Sequence, residues 1–90
     1  MDINEARKQI DEIDAELSEL FMKRMKASAE IAEYKKQNNL PVFDEKREQE
    51  IIKKICEKSS QENEKFLKEF YIKIFELSRS FQQEIIGSQE

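Results

Sequence analysis

Residues 3–36, INEARKQIDEIDAELSELFMKRMKASAEIAEYKK, contain neither glycine nor proline and carry an almost unbroken seven-residue repeat. One seam of the repeat reads Ile3, Ile10, Leu17, Arg24, Ile31, and the neighbouring seam reads Ala6, Ile13, Leu20, Ala27, Tyr34. Apolar or small side chains at nine of these ten positions predict one long helix that buries a stripe against other helices. The tenth is Arg24. A guanidinium stays charged and is costly to bury unpaired, so Arg24 either snorkels outward onto a carboxylate or faces an anionic ligand; this helix alone leaves both open.

The rest of the chain is read outward from that helix. Asp2 or Asn4 can cap its start. The pattern stops at Gln37-Asn38-Asn39-Leu40-Pro41, where proline cannot continue a helix. A second, short helix is predicted over about 44–58, capped by Asp44, with Ile51, Ile52, Ile55 and Cys56 on its apolar stripe and Arg47 and Glu48 on the same face one turn earlier. Ser59-Ser60-Gln61-Glu62 reads as a break and capping box for a third helix of medium length, ending near Ile86 before a left-handed stop at Gly87. Its apolar face is Leu67, Phe70, Ile74, Leu77, Phe81 and Ile85, and Ser78 and Gln82 extend the row begun by Ile74. The fold class is therefore all-α, with three helices in a single domain spanning residues 1–90.

A helix of this length is roughly 50 Å long, more than the 54 residues that follow it can cover, so a dimer or higher oligomer is expected. The 16 basic and 20 acidic residues leave a net charge of -4, which argues against a nucleic-acid partner. The chain has no histidine and one cysteine, so neither an internal disulfide nor an ordinary zinc site is expected. No secretory signal and no membrane-spanning run are visible, which makes a cytoplasmic protein the expectation.

Each helix carries polar side chains where its pattern predicts burial, which points to a shared site. Lys35 follows Arg24 by 11 residues, nearly three turns, and projects from the same side of the helix about 16 Å further along. Arg7 precedes Arg24 by 17 residues, roughly 25 Å along the rod, too far to serve the same site easily within one chain, whereas in an antiparallel dimer it could enter the pocket of the other subunit. Arg24, Lys35, Arg47 and a visiting Arg7, countered by Glu48 and joined by Ser78 and Gln82, suit a small ligand bearing two carboxylates and a hydroxyl. With no histidine base and no obvious nucleophile, a reaction there must proceed by positioning and by stabilising developing charge. Cys56 reads as a buried small apolar residue and Asp44 as a helix cap.

Arg7, Ile10-Asp11, Ile13-Asp14, Leu17, Arg24, Ile31, Lys35, Pro41-Val42, Asp44, Arg47-Glu48 and Ser78-x-x-x-Gln82, taken in this order, resemble the all-helical class of chorismate mutase. The resemblance implies an intertwined all-helical homodimer that isomerises chorismate to prephenate by a [3,3]-sigmatropic rearrangement, for aromatic amino-acid biosynthesis, with no cofactor or metal. It implies that Arg24, helped by Ser78 and less directly by Arg47, binds the ring carboxylate, and that Lys35 with Arg7 of the partner subunit binds the enolpyruvyl carboxylate. Lys35 and Gln82 would donate to the ether oxygen, and Glu48, with the Asp44 backbone nearby, would accept from the ring hydroxyl. Lys35, Gln82 and Glu48 are the implied catalytic residues. No built-in allosteric domain is expected, whereas docking onto another shikimate-pathway enzyme is a possible form of control. An isochorismate pyruvate-lyase shares much of this pocket, and a non-catalytic helical dimerisation module would need only the heptads.

Overall fold

The structure, a computed structural model, describes residues 2–87; Met1 and residues 88–90 of the expected domain lie outside the described residues. Helix α1 (Ile3–Gln37) begins where the Asp2 carboxylate accepts from the amides of Asn4 at 2.7 Å and Glu5 at 3.0 Å. Of the two expected caps, Asp2 is therefore the one used. Lys35 and Lys36 lie in the last turn, where a cation offsets the helix dipole. The helix closes with a Schellman arrangement, in which the Leu40 amide donates to the Lys35 carbonyl at 2.8 Å and the Asn39 amide to Lys36 at 3.4 Å. Asn39 takes the left-handed conformation, φ 53°, that this motif requires and asparagine tolerates.

Helix α2 (Glu45–Glu57) is flanked by Asp44, whose carboxylate accepts from the Arg47 amide at 3.1 Å, and by Lys58 at its C-terminal cap. The expected range thus includes its two capping residues. Ile51, Ile52, Ile55 and Cys56 are half-buried and no residue of α2 is fully buried, short of the burial that the stripe predicts, because α2 packs on α3 alone. At the next turn the Ser59 hydroxyl donates back to the Cys56 carbonyl at 3.0 Å, and α3 (Gln61–Gly87) starts from the Ser60 carbonyl, which accepts from Glu64 at 3.1 Å. Ser59 therefore serves the end of α2 and not the start of α3. Gly87 belongs to α3 with no positive φ, so the left-handed stop expected there is not present at that residue.

Helix α3 packs against both α1 and α2, and among the described residues α1 and α2 share no close backbone approach. Arg24 lies over Phe75 and Ser28 meets Ser78, so α1 and α3 run in the same direction. Glu48 meets Arg79 while the end of α2 turns directly into α3, so that pair is antiparallel. The buried residues are few: Ala32, Ile74, Phe75 and the polar Ser28, Ser78 and Gln82; no large side chain among the described residues is fully buried.

The result is a thin slab, 54 × 26 × 14 Å, with a radius of gyration of 16.3 Å. A compact chain of this length would have a radius nearer ~12 Å. Most of the α1 seam is uncovered, with Ile10, Ile13 and Leu20 between 55% and 59% exposed and Ile31 and Tyr34 also open. Phe70 and Leu77 on α3 also stand open. Among the described residues no helix is long and apolar enough to cross a membrane.

Candidate active site

A cleft of about 320 Å³ opens where the three helices meet. α1 lines it with Arg24, Ala27, Ser28, Ile31 and Lys35, at the spacing of a single helical face. Val42 and Asp44 line it from the connecting loop, Arg47, Glu48 and Ile51 from the first turns of α2, and Phe75, Ser78, Arg79 and Gln82 from α3. Seven of the eight residues expected at a site are thus brought together from positions up to 58 apart in sequence. The eighth, Arg7, is exposed near the start of α1 and does not line the cleft.

Polar contacts organise the floor. Ser28 Oγ and Ser78 Oγ lie 2.8 Å apart across the α1–α3 contact, and Gln82 Nε2 donates to Ser78 Oγ at 3.2 Å. All three residues are buried, and Oε1 of Gln82 has no hydrogen-bond partner. An unpaired polar atom at such a position is expensive, which makes Gln82 a group with capacity for a further contact. At the rim, Lys35 Nζ donates to the Val42 carbonyl at 2.6 Å and so anchors the loop to α1. The ammonium keeps two further donors.

The Arg24 guanidinium carbon lies 5.8 Å from the Phe75 ring centroid. Arg24 is half-buried rather than turned out to solvent. Arg47 is more exposed and approaches Glu50 at 3.8 Å, a surface pair worth little by itself. Asp44 caps α2, as its position predicts.

Three lining residues escaped the sequence reading: the aromatic Phe75, off the predicted apolar row of α3, and two polar ones, Ser28 and Arg79. Ser28 continues the row from Arg24 by one turn, and following that row in steps of three and four would have found it. Arg79 directly follows Ser78 and carries no periodic signal of its own, yet it donates to Glu48 and lies 5.0 Å from the Phe43 ring centroid.

The cleft therefore presents four cations, Arg24, Lys35, Arg47 and Arg79, against the carboxylates of Asp44 and Glu48, in a chain that is acidic overall. Its charge suits an anion. A larger groove of about 680 Å³ between α2 and α3 is lined by Phe43, Ile52, Cys56, Ile72 and Phe75 with a surplus of carboxylates, including Glu45, Glu57 and Glu64, and its charge is the wrong sign for one. Among the described residues no group of histidine, cysteine, aspartate and glutamate converges to hold a metal ion.

The sequence matches the family model of chorismate mutase type II over residues 6–83. It is 33% identical over 85 residues to a chorismate mutase of Methanocaldococcus jannaschii, covering 91% of this chain and 85% of that protein. It is also 43% identical over 54 residues to a bifunctional chorismate mutase/prephenate dehydratase of Aquifex aeolicus; the match takes in 60% of this chain but only 15% of that longer protein. Among solved structures, the chorismate mutase of Helicobacter pylori, determined in complex with prephenate, superposes with a TM-score of 0.85 at 35% identity, covering 94% of this chain and 93% of the other.

Proposed function

The chain belongs to the chorismate mutase type II family and has that family's isomerase activity, and we propose that it rearranges chorismate to prephenate in the three-helix cleft by electrostatic preorganisation alone. The observation that carries this reading is the convergence of Arg24, Lys35, Arg47, Glu48, Ser78 and Gln82 from three helices onto one anion-favouring cleft. Chorismate is a dianion with a ring hydroxyl. Its reaction breaks the ether C–O bond and forms a C–C bond within one molecule, without a net proton transfer or a covalent enzyme intermediate. What it requires is the folded, chair-like conformer and stabilisation of the negative charge that develops on the ether oxygen.

In this mechanism Arg24 holds the ring carboxylate, aided by the Ser78 hydroxyl and, from further out, by Arg47. Lys35 holds the enolpyruvyl carboxylate together with Arg7 of the second subunit. Lys35 and Gln82 donate to the ether oxygen. One N–H of the Gln82 amide is used on Ser78 Oγ and the other is left for the ether oxygen, and with Ser28 donating to Ser78 the Ser78 proton is free for the ring carboxylate. Glu48 accepts from the ring hydroxyl beside the Asp44 backbone.

The working unit we propose is an intertwined homodimer of single-domain chains, in which the uncovered α1 seam of each copy lies against the other and delivers Arg7. The exposed Ile10, Ile13 and Leu20 support that arrangement. An unpaired Cys56 suits the reducing cytoplasm, where prephenate feeds aromatic amino-acid synthesis and where another enzyme of the pathway can dock.

The test is incubation of the purified protein with chorismate, following its ultraviolet loss and identifying the product by chromatography. Prephenate is expected, and Arg24→Ala should lower turnover by about 100-fold or more while helicity and oligomeric state persist. A folded protein that leaves chorismate unchanged overturns the assignment, and release of pyruvate and salicylate from isochorismate transfers it to a lyase.

A further inference from the structure

Resting on the chorismate reading, we propose that Arg79 is a positioning residue for the reaction, holding the Glu48 carboxylate where it accepts from the ring hydroxyl. Arg79 leaves α3 one residue after Ser78 and its side chain reaches α2, where Nη1 donates to Glu48 Oε2. Its guanidinium also lies 5.0 Å from the ring centroid of Phe43, in the loop before α2. One side chain thus ties α3 to α2 and to the α1–α2 connection at the mouth of the cleft.

The pair is better shielded than an ordinary surface contact. Its side chains are 27% and 22% exposed, against 61% and 53% for Arg47 and Glu50. Two effects follow for the site. A glutamate without its own counter-charge beside Arg24, Lys35 and Arg47 would be drawn to one of them and would compete with the carboxylates of the substrate. Arg79 supplies that counter-charge from outside the group, so the other cations stay available. Moreover, a carboxylate offers about four acceptor positions, so with Oε2 engaged by Arg79, Glu48 retains capacity for a hydroxyl and is held in one orientation while it accepts.

The experiment is a double-mutant cycle in steady-state kinetics on the full chain with chorismate, using Arg79→Met, Arg79→Lys, Glu48→Gln and Arg79→Met/Glu48→Gln, with circular dichroism to report folding. Methionine keeps part of the packing on Phe43 and removes the charge. Arg79→Met is expected to lower kcat/KM about tenfold, the scale of one charge-assisted hydrogen bond, mainly through KM because the hydroxyl is held alike in substrate and transition state. In the Glu48→Gln background the same change should cost no more than about twofold, and Arg79→Lys should recover part of the loss. Wild-type kinetics for Arg79→Met overturn the assignment, as does an equal loss in both backgrounds, which is what a purely structural role predicts. If Arg79→Met fails to fold, Arg79→Gln takes its place in the cycle with the same expectations and the same overturning results. A folded wild-type protein inactive on chorismate would instead sink the parent reading, whereas active wild type with an unaffected Arg79 variant sinks this one alone.

Discussion

Arg24 and Gln82 interrupt apolar rows on two different helices, and each finds a partner across the α1–α3 contact or within its own helix: Phe75 beneath Arg24, Ser78 beside Gln82. The heptad made Arg24 conspicuous because a fixed cation on a burial seam contradicts its neighbours. Gln82 was legible for a weaker reason, as the second polar residue on the Ile74 row. Its chemistry yields a sharp prediction. An amide does not titrate, so turnover that depends on Gln82 donating to an ether oxygen should be flat through neutral pH. In Gln82→Glu the side chain can donate only when protonated, and burial raises a carboxyl above its ordinary pKa of about 4.3. The variant should therefore be active on the acid side of that raised pKa and lose activity as pH rises through it. Measuring kcat/KM from about pH 5 to pH 8 checks this, and a flat profile in the variant would remove the ether-oxygen role from residue 82.

At the level of elements, the first turn of α2 carries an unusual share of the site. Asp44 caps it, Arg47 and Glu48 project from it, and the loop that leads into it is anchored to α1 by the bond from Lys35 to the Val42 carbonyl. Replacing Asp44 by alanine removes the acceptor of the Arg47 amide and should cost about 1 kcal/mol of stability, with thermal unfolding as the measurement. Activity should fall further than that loss alone explains, because a frayed first turn displaces Glu48 and Arg47 together. Unchanged kinetics in a destabilised variant would show that this turn need not be fixed. Helix boundaries were readable because Asp2, Pro41 and Asp44 act locally, within three residues along the chain. The exceptions were equally local: Ser59 found the Cys56 carbonyl, Asn39 took a left-handed position at the end of α1, and Gly87 took none at the end of α3.

The whole chain is a slab 14 Å thin whose long helix leaves Ile10, Ile13 and Leu20 uncovered and whose Arg7 lies far from the cleft. If two copies exchange Arg7, an inactive Arg7→Ala dimer refolded with an inactive Lys35→Ala dimer should regain about a quarter of wild-type activity, since half the dimers are hybrid and each hybrid has one intact cleft. Well-formed hybrids without activity would mean that the clefts are not shared. Sedimentation of the wild-type protein should give twice the chain mass. By itself the sequence determined the three helices, the N-terminal caps of the first two and the polar positions that conflict with their periodicity, because propensity, capping and the 3.6-residue repeat are set by neighbours along the chain. Only the tertiary structure decided which of those positions meet, that Ser28 backs Ser78, and that Arg79 reaches Glu48 over Phe43. Those contacts join residues 31 to 50 positions apart, and a side chain flanking a polar row carries no periodic sign of the helix it will touch.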